Sequence, residues 1–502
     1  MDLPINSEES VKQMQAQLLH SIRSDLDLII APNLTSPEAR TAALLASEML
    51  SFLAVGLHGI DATLVDLKQR LEFLAQKAEA LADECGASPQ ELVATPVVAS
   101  ELTLDAEFSR GKVRLSSAMA RLFSVRENLS DKKFIERLSA LTRDAVRLEQ
   151  QEQLDIQRLV GAEMSDQNSP LAFVEVELTA ERLGAFIDTR LAHLQPGHLE
   201  RLERIPGGYS KDTWRFSLSG GIDGQHDLIL RRDLPFGPGE NCVLEEFELL
   251  THLANAGLQV PRPLWCEPDQ SYVGRPFLVF PQYSGAAVFG DWTATVEVKQ
   301  AVCFDIARLM AKLHSLDPGD LNLPQAEATR SPVETVRSYV RLWRDKWLRR
   351  RSHPSLVLMT AFDWLERNAP SDLQRVSFIH GDINFRNTLV DQGRLSALLD
   401  WEFWHLGDPM EDLSYFRLVA EPYVEWNSIM QVYREAGGID YDPKRAAFYE
   451  VWRSVRNGTT TTTAWYGFLN GQYPASKAAY QGVSLYRLFL RDVAAKLEAV
   501  QL

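Results

Sequence analysis

The chain has 502 residues, 45% of them apolar and 24% charged, and a formal net charge of −16, which excludes a disordered chain and predicts two or three domains. The acidic balance argues against nucleic acid as a partner, since a phosphate backbone needs clustered Lys and Arg, and no apolar run approaches the length of a membrane span. The polar N-terminus MDLPINSEESVKQ and four scattered cysteines (Cys85, Cys242, Cys266, Cys303) predict a reduced, cytoplasmic protein without a secretory signal.

Residues 1–165 read as an all-α helical domain. Ser36-Pro37 opens an Ala- and Leu-rich helix, Leu64, Leu67, Leu71, Leu74 and Leu81 recur at helical spacing, and a third amphipathic helix begins at Ser130-Asp131. This third of the chain does not combine a nucleophile, a base and a glycine loop, so its expected role is packing or homodimer formation. Ser165–Pro170 is short and turn-prone and marks a boundary. Over residues 170–290, the runs ERLERIPGGYSKDTWRFSL, HDLILRRDL and RPFLVFPQY predict strands. The segment EEFELLTHLANAGLQVPRPL predicts one helix, stopped by Gly257 and Pro261. From 291 to 502 helices dominate, interrupted over residues 377–409. The expected class is α+β: a small β-rich lobe, then a larger helical lobe, with a cleft between.

The chemistry concentrates in FIHGDINFRNTLVDQGRLSALLDWEFWHLGDP, residues 378–409. Two apolar stretches, Thr388–Val390 and Leu395–Leu399, flank the turn Asp391-Gln392-Gly393 and predict a hairpin. Asp382 and Asn387 precede it and Asp400 follows it, so closing the hairpin is expected to bring the three together. Phosphoryl transfer uses such a set: a carboxylate to accept the acceptor's hydroxyl proton, and hard oxygens to hold Mg²⁺ against a triphosphate. Asp382 suits the base, and Asn387 and Asp400 suit the metal. Taken singly, each of these residues would read as an ordinary turn residue.

This segment resembles the catalytic and metal loops of the aminoglycoside phosphotransferase and choline kinase superfamily, relatives of protein kinases, and the likeness runs from about residue 180 to the C-terminus. It is most similar to the phosphotransferase domains associated with acyl-CoA dehydrogenases, some of which look like hydroxyacyl-CoA kinases. The N-terminal helical segment is similar to a small helical domain that accompanies such phosphotransferases in bacteria. The resemblance implies a bilobal, protein kinase-like fold, with a nucleotide-binding N-lobe over 170–290 and a catalytic, acceptor-binding C-lobe over 291–502. It also implies ATP (or GTP in its place), Mg²⁺ and a small-molecule hydroxyl acceptor.

Further roles follow from that plan. Gly207 and Gly208, with Ser210 beside them, would let backbone amides approach phosphates, although a Gly-Gly turn also serves a plain hairpin. Arg231 falls where kinase-like folds place the lysine that grips the α- and β-phosphates, with Glu246 as its partner. Arg232 would point to the opposite face. Phe280, Pro281 and Tyr283 resemble the hinge that holds the nucleotide base, where Pro281 keeps its carbonyl and Tyr283 supplies an N–H. Two residues past Asp382, where relatives carry lysine or arginine, this chain has Asn384, and Arg386 is the cation placed to contact phosphate instead. His314, His380, Asp408 and Asp412 read as structural supports, and Glu402 as facing either a second metal or water. The absence of a long segment between Asp400 and Gly407 argues against an activation loop, hence for a small acceptor. The basic helix 337–353 favours an anionic alcohol such as a hydroxyacyl-CoA. An aminoglycoside or other antibiotic phosphotransferase is the alternative, and a non-catalytic pseudokinase or partner-binding module is the alternative from another class.

Overall fold

The computed structural model describes residues 60–87, 106–126, 131–163, 178–191, 197–205, 211–221, 224–233, 242–287, 293–320, 331–351, 355–469, 478 and 480–500. The chain divides into two compact units. One comprises Met1–Ala172, Val340–Asn368 and Val451–Leu502, and the other Phe173–Tyr339 and Ala369–Glu450.

Helices α1 (Ile60–Glu84), α2 (Ala106–Arg126) and α3 (Lys132–Glu163) follow the leucine and alanine periodicity of the sequence. Asp131 starts α3, its carboxylate accepting the Lys133 N–H at 2.9 Å. The helix read over residues 36–56 lies outside the described residues.

Helix α4 (Ala180–Arg190), capped by Thr179, precedes an antiparallel sheet. Its strands are β1 (Gly197–Arg204), β2 (Lys211–Gly221), β3 (Gly224–Asp233), β4 (Trp265–Glu267) and β5 (Phe277–Pro281), in the order β1-β2-β3-β5-β4. Helix α5 (Val243–Asn255) lies between β3 and β4 in the chain and ends before Gly257, whose φ of +75° is the left-handed conformation that closes a helix. Alternation along β3 sorts its residues into two sets. Leu228 and Leu230 join Phe216, Leu218 and Phe186 in a buried cluster with α4, where Phe186 meets Phe277 edge-on at 4.9 Å. Arg232 shares that side of the strand and is buried there by bonds to Asp212 Oδ2 (2.6 Å) and the Val273 carbonyl (2.7 Å). Arg231, between them, is therefore on the other face, as the sequence predicts.

Beyond the short strand β6 (Ala286–Ala287) come α6 (Val296–Ser315), α7 (Pro332–Arg350) and α8 (Leu356–Arg367). Four strands follow, β7 (Ser377–Ile379), β8 (Thr388–Asp391), β9 (Arg394–Leu398) and β10 (His405–Gly407). Helices α9 (Met410–Ala420), α10 (Trp426–Glu435), α11 (Pro443–Leu469) and α12 (Tyr486–Ala499) complete the chain. The fold is thus a mixture of helix and antiparallel sheet. Strands β8 and β9 form the expected hairpin, and its turn has positive φ at Gln392 (+46°) and Gly393 (+77°), the signature of a type I′ turn. Strand β6 pairs with β8 in turn. Gly285, just before it, has φ +109° and lies so close that a Cβ would sit 2.7 Å from the Val390 carbonyl oxygen. The segment leaving β5 is thereby stapled to the hairpin. In α11 the threonines 459–463 are helix interior, and their hydroxyls donate to carbonyls three or four residues back.

In the first unit, Leu67, Leu71 and Leu74 of α1 pack with Leu115, Met119 and Leu122 of α2, Phe134 and Leu138 of α3, and Leu356 of α8. A buried ionic layer accompanies this core. Lys112 lies 2.8 Å from Glu152 and 3.5 Å from Glu149, and Glu149 accepts the Val357 N–H at 2.7 Å, capping α8. Lys112→Met leaves these carboxylates buried without that cation. The expected loss is about 3–5 kcal/mol, read as a lowered urea midpoint. A midpoint equal to wild type would show that the layer contributes nothing.

Candidate active site

The loop before the hairpin is folded by its own side chains. A single 3-10 turn spans Phe385–Asn387, and Asn384 caps it, its amide oxygen accepting the N–H groups of Arg386 (2.9 Å) and Asn387 (3.3 Å). The Asn384 amide nitrogen also donates to the Asp382 carbonyl at 3.0 Å. Phe385 fixes the turn from below, edge-on to Phe416 (6.1 Å) and Tyr423 (5.7 Å). The turn brings Asn387 Nδ2 to 2.9 Å from Asp382 Oδ2 and 3.0 Å from the Asp382 carbonyl. Asn387 thus touches Asp382 through its amide nitrogen, and its amide oxygen is the atom left for a hard cation.

Asp400 is tied to the same loop through the backbone. The Leu399 N–H donates to the Asn387 carbonyl at 2.7 Å, and Asp400 follows with φ +66°, a left-handed conformation for a residue with a Cβ. His380 braces both ends. Its Nδ1 accepts the Asp382 N–H at 3.1 Å, so Nε2 carries the proton and donates to the Leu399 carbonyl at 2.9 Å. Beneath it lies Asp412, 0% exposed. Asp412 accepts the His380 N–H (2.9 Å), the Gly381 N–H (2.8 Å) and His314 Nε2 (3.2 Å). Burial opposes its charge, but the His314 hydrogen bond and the two histidines hold its carboxyl below the usual carboxylate range. Tyr433 then donates to His314 Nδ1 at 2.8 Å. Asp408 has a parallel anchoring role, accepting the Met410 N–H at 3.0 Å and Arg445 Nε at 2.8 Å.

The β-rich part of the same unit contributes a chain of charges. Arg231 donates through Nη2 to Asp400 at 2.8 Å and through Nη1 to Glu246 at 3.3 Å. Glu246, 0% exposed on α5, also faces Lys211 Nζ at 3.3 Å, and Lys211 lies 2.6 Å from Asp233. Burial would drive the proton off Arg231, but Glu246, Asp400 and Glu402 hold it on, above the ordinary guanidinium range.

Three of the expected site residues, Gly207, Gly208 and Ser210, lie outside the described residues. Phe280 is buried on β5, Pro281 ends that strand opposite Leu228, and the Tyr283 hydroxyl accepts the Arg262 N–H at 2.9 Å. The Arg386 side chain is exposed. The basic helix is largely spent on packing: Arg341 pairs with Glu366 at 3.3 Å, Arg344 bonds the same carboxylate, and Lys346 is buried with its Nζ 4.6 Å from the Trp343 ring centre. These contacts weaken the inference from that helix to an anionic acceptor. Sequence reasoning passed over Lys211, whose signal is the strand register, and the capping role of Asn384, whose signal is the preference of Asn for helix starts.

No group of three or more His, Cys, Asp or Glu among the described residues is spaced to hold a metal ion. The available donors are the Asn387 amide oxygen and the Asp400 carboxylate, a hard pair that suits Mg²⁺ completed by phosphates and waters. No described helix is long and apolar enough to cross a membrane.

A carboxylate held against an asparagine, with an arginine–glutamate pair reaching the aspartate after the hairpin, is an arrangement that phosphoryl transfer can use. The chain belongs to the phosphotransferase enzyme family, whose model matches residues 201–456. It is 25% identical over 227 residues to acyl-CoA dehydrogenase family member 10 of Mus musculus, covering 44% of this chain and 20% of that protein. It is 26% identical over 273 residues to acyl-CoA dehydrogenase family member 11 of Homo sapiens, covering 52% and 34%. The chain therefore spans between a fifth and a third of these relatives. Among solved structures, macrolide 2'-phosphotransferase MphH from Brachybacterium faecium aligns over 60% of this chain and 97% of its own, at 20% identity and a TM-score of 0.39.

The Asp412 network yields a pH prediction. A carboxylate whose pKa is depressed by folding stabilises above its unfolded value and loses that contribution as pH falls through the folded one. Asp412→Asn is expected to cost about 3 kcal/mol or more at neutral pH. The gap from wild type should close as pH falls below about 4, measured as urea midpoints across pH. A gap independent of pH would show that the charge of Asp412 is not what matters.

Proposed function

We propose that this chain transfers the γ-phosphate of ATP to the hydroxyl of a small molecule, with a hydroxyacyl-CoA as the favoured acceptor. The observation that carries the reading is the 2.9 Å contact between Asp382 and Asn387 in a loop tied by the backbone to Asp400. Asp382 accepts the acceptor's hydroxyl proton as its oxygen bonds to the γ-phosphorus. The bond from that phosphorus to the β-phosphate oxygen breaks, and ADP leaves. Arg231, positioned by Glu246, grips the α- and β-phosphates, and the exposed Arg386 meets the γ-phosphate. The base is assigned to Phe280, Pro281 and Tyr283, and contact with the phosphates to Gly207, Gly208 and Ser210. Asn387 and Asp400 would hold Mg²⁺, which when bound neutralises charge on the triphosphate.

Two features support the acceptor. The texture of residues 378–409 resembles phosphotransferase domains associated with acyl-CoA dehydrogenases, and the relatives above carry that name. Residues 1–165 are proposed to pair two copies of the enzyme.

The test incubates the purified chain with Mg²⁺, ATP and a pool of hydroxyacyl-CoAs, short-chain alcohols and aminoglycosides. Mass spectrometry is expected to find one phosphate added to a hydroxyacyl-CoA, and transfer to aminoglycosides alone would replace that acceptor. Asp382→Ala is expected to lower kcat by about 10²–10⁴ with nucleotide binding retained. Full activity in that variant would remove Asp382 from the chemistry.

A further inference from the structure

Lys211 opens β2, three residues after Gly208 in the sequence. Across the strands Lys211 pairs with Asp233 and Thr213 with Arg231, which puts Lys211 and Arg231 diagonally on one face of the sheet. Asp212 and Arg232 take the other. Lys211 is 6% exposed, and its ammonium lies 2.6 Å from Asp233 Oδ1 and 3.3 Å from Glu246 Oε1. Both carboxylates belong to the placement of α5. Asp233 accepts the N–H of Val243, the first residue of that helix, at 3.3 Å, and Glu246 is what the helix presents to Arg231. Burial opposes the charge on Lys211, yet Glu246 and then Asp233 raise its pKa above the ordinary lysine range, so it is a fixed cation.

The buried carboxylate of Glu246 therefore has a different cation on each oxygen: Lys211 at Oε1, an ion pair at 3.3 Å without a hydrogen bond, and Arg231 hydrogen-bonded at Oε2. That division decides what Arg231 can do. A guanidinium fork matches a carboxylate through two parallel bonds. With Lys211 at Oε1, Arg231 holds Glu246 through Nη1 alone and extends Nη2 to the site, where it now meets Asp400 at 2.8 Å. Without Lys211, Oε1 would be a buried charge lacking that cation, and the fork of Arg231 is the nearest group able to take both oxygens.

We propose that Lys211 is a positioning residue for the triphosphate: by occupying one oxygen of Glu246 it keeps Arg231 extended toward the phosphates. The proposal rests on the reading of Arg231 as the phosphate-gripping cation, and it names a second cation that the strand register supplies.

The experiment measures binding of AMP-PNP with Mg²⁺, and of adenosine, by calorimetry. The proteins are the full chain and its variants Lys211→Gln, Lys211→Arg, Glu246→Gln, and the double variant Lys211→Gln with Glu246→Gln. Lys211→Gln is expected to weaken AMP-PNP by about tenfold or more, the loss of one charge-assisted contact, with adenosine unchanged. Lys211→Arg, which keeps the charge, should recover most of the loss. In the Glu246→Gln background the carboxylate that Lys211 shares with Arg231 is gone and Lys211 keeps only Asp233, so removing Lys211 should change AMP-PNP affinity by no more than about twofold. Wild-type affinity for AMP-PNP in Lys211→Gln overturns the proposal, and so does an equal loss for adenosine, which would mark a merely structural residue. If Lys211→Gln does not fold, the comparison within the Glu246→Gln background decides, and a further loss there is the overturning result. Wild type failing to bind AMP-PNP would fell the nucleotide reading itself; binding by wild type that is indifferent to Lys211 would fell this inference alone.

Discussion

A loop that carries a reacting carboxylate is useful only if its backbone cannot drift, and here one buried anion supplies that constraint. Asp412 takes the N–H groups of His380 and Gly381, the two residues before Asp382, and the imidazole of His314. Main-chain N–H groups have no rotamers, so fixing them fixes the direction in which Asp382 leaves the chain. Gly381 meets this demand at φ +81°, a conformation that costs glycine little. His380 carries the constraint across to β9, since one ring bonds both the Asp382 N–H and the Leu399 carbonyl. The left-handed backbone of Asp400, which costs about 1–3 kcal/mol in isolation, is held by two hydrogen bonds on its neighbour Leu399. Strain at Asp400 and rigidity at Asp382 thus share one source.

A second constraint runs through the sheet as alternating charges: Asp233, Lys211, Glu246, Arg231 and Asp400. Every interior member has opposite charges on both sides, which is the condition under which buried ions persist. The far end differs. The Asp400 side chain is 31% exposed, against 0% for Glu246. Exposure at that terminus is where an incoming cation can compete with Arg231, because there the exchange needs no buried group to lose its last partner.

The hairpin was legible because its signals are local: a polar turn with glycine, flanked by alternating apolar runs, with Asp382, Asn387 and Asp400 at its ends. The contact of Asp382 with Asn387 follows from a spacing of five that a short turn can close, and the face of Arg231 followed from alternation. Lys211 was not legible, since nothing in KDTW says that residue 211 lies opposite residue 233 rather than 231; only the register does. Asn384 stands in the sequence where a cation is expected, whereas in the structure its amide builds the turn that presents Asn387. The cations of the basic helix are hard to read in sequence for the reverse reason. Composition registers their charge but not Glu366 or the Trp343 ring, which engage Arg341, Arg344 and Lys346.

Arginine at 231 and lysine at 211 are best understood together. A lysine at 231 would present one ammonium, and bridging Glu246 to Asp400 would draw on a single point of charge. A guanidinium separates its donors on different nitrogens, so Nη1 can stay with Glu246 while Nη2 reaches beyond it. The same fork carries a liability, because a carboxylate facing it alone would capture both arms. A second, fixed cation on the far oxygen of that carboxylate removes the liability without competing for the site. The substitution at 231 and the buried lysine two positions away across the strands are therefore one arrangement, in which the longer reach of arginine depends on Lys211 holding the other half of Glu246.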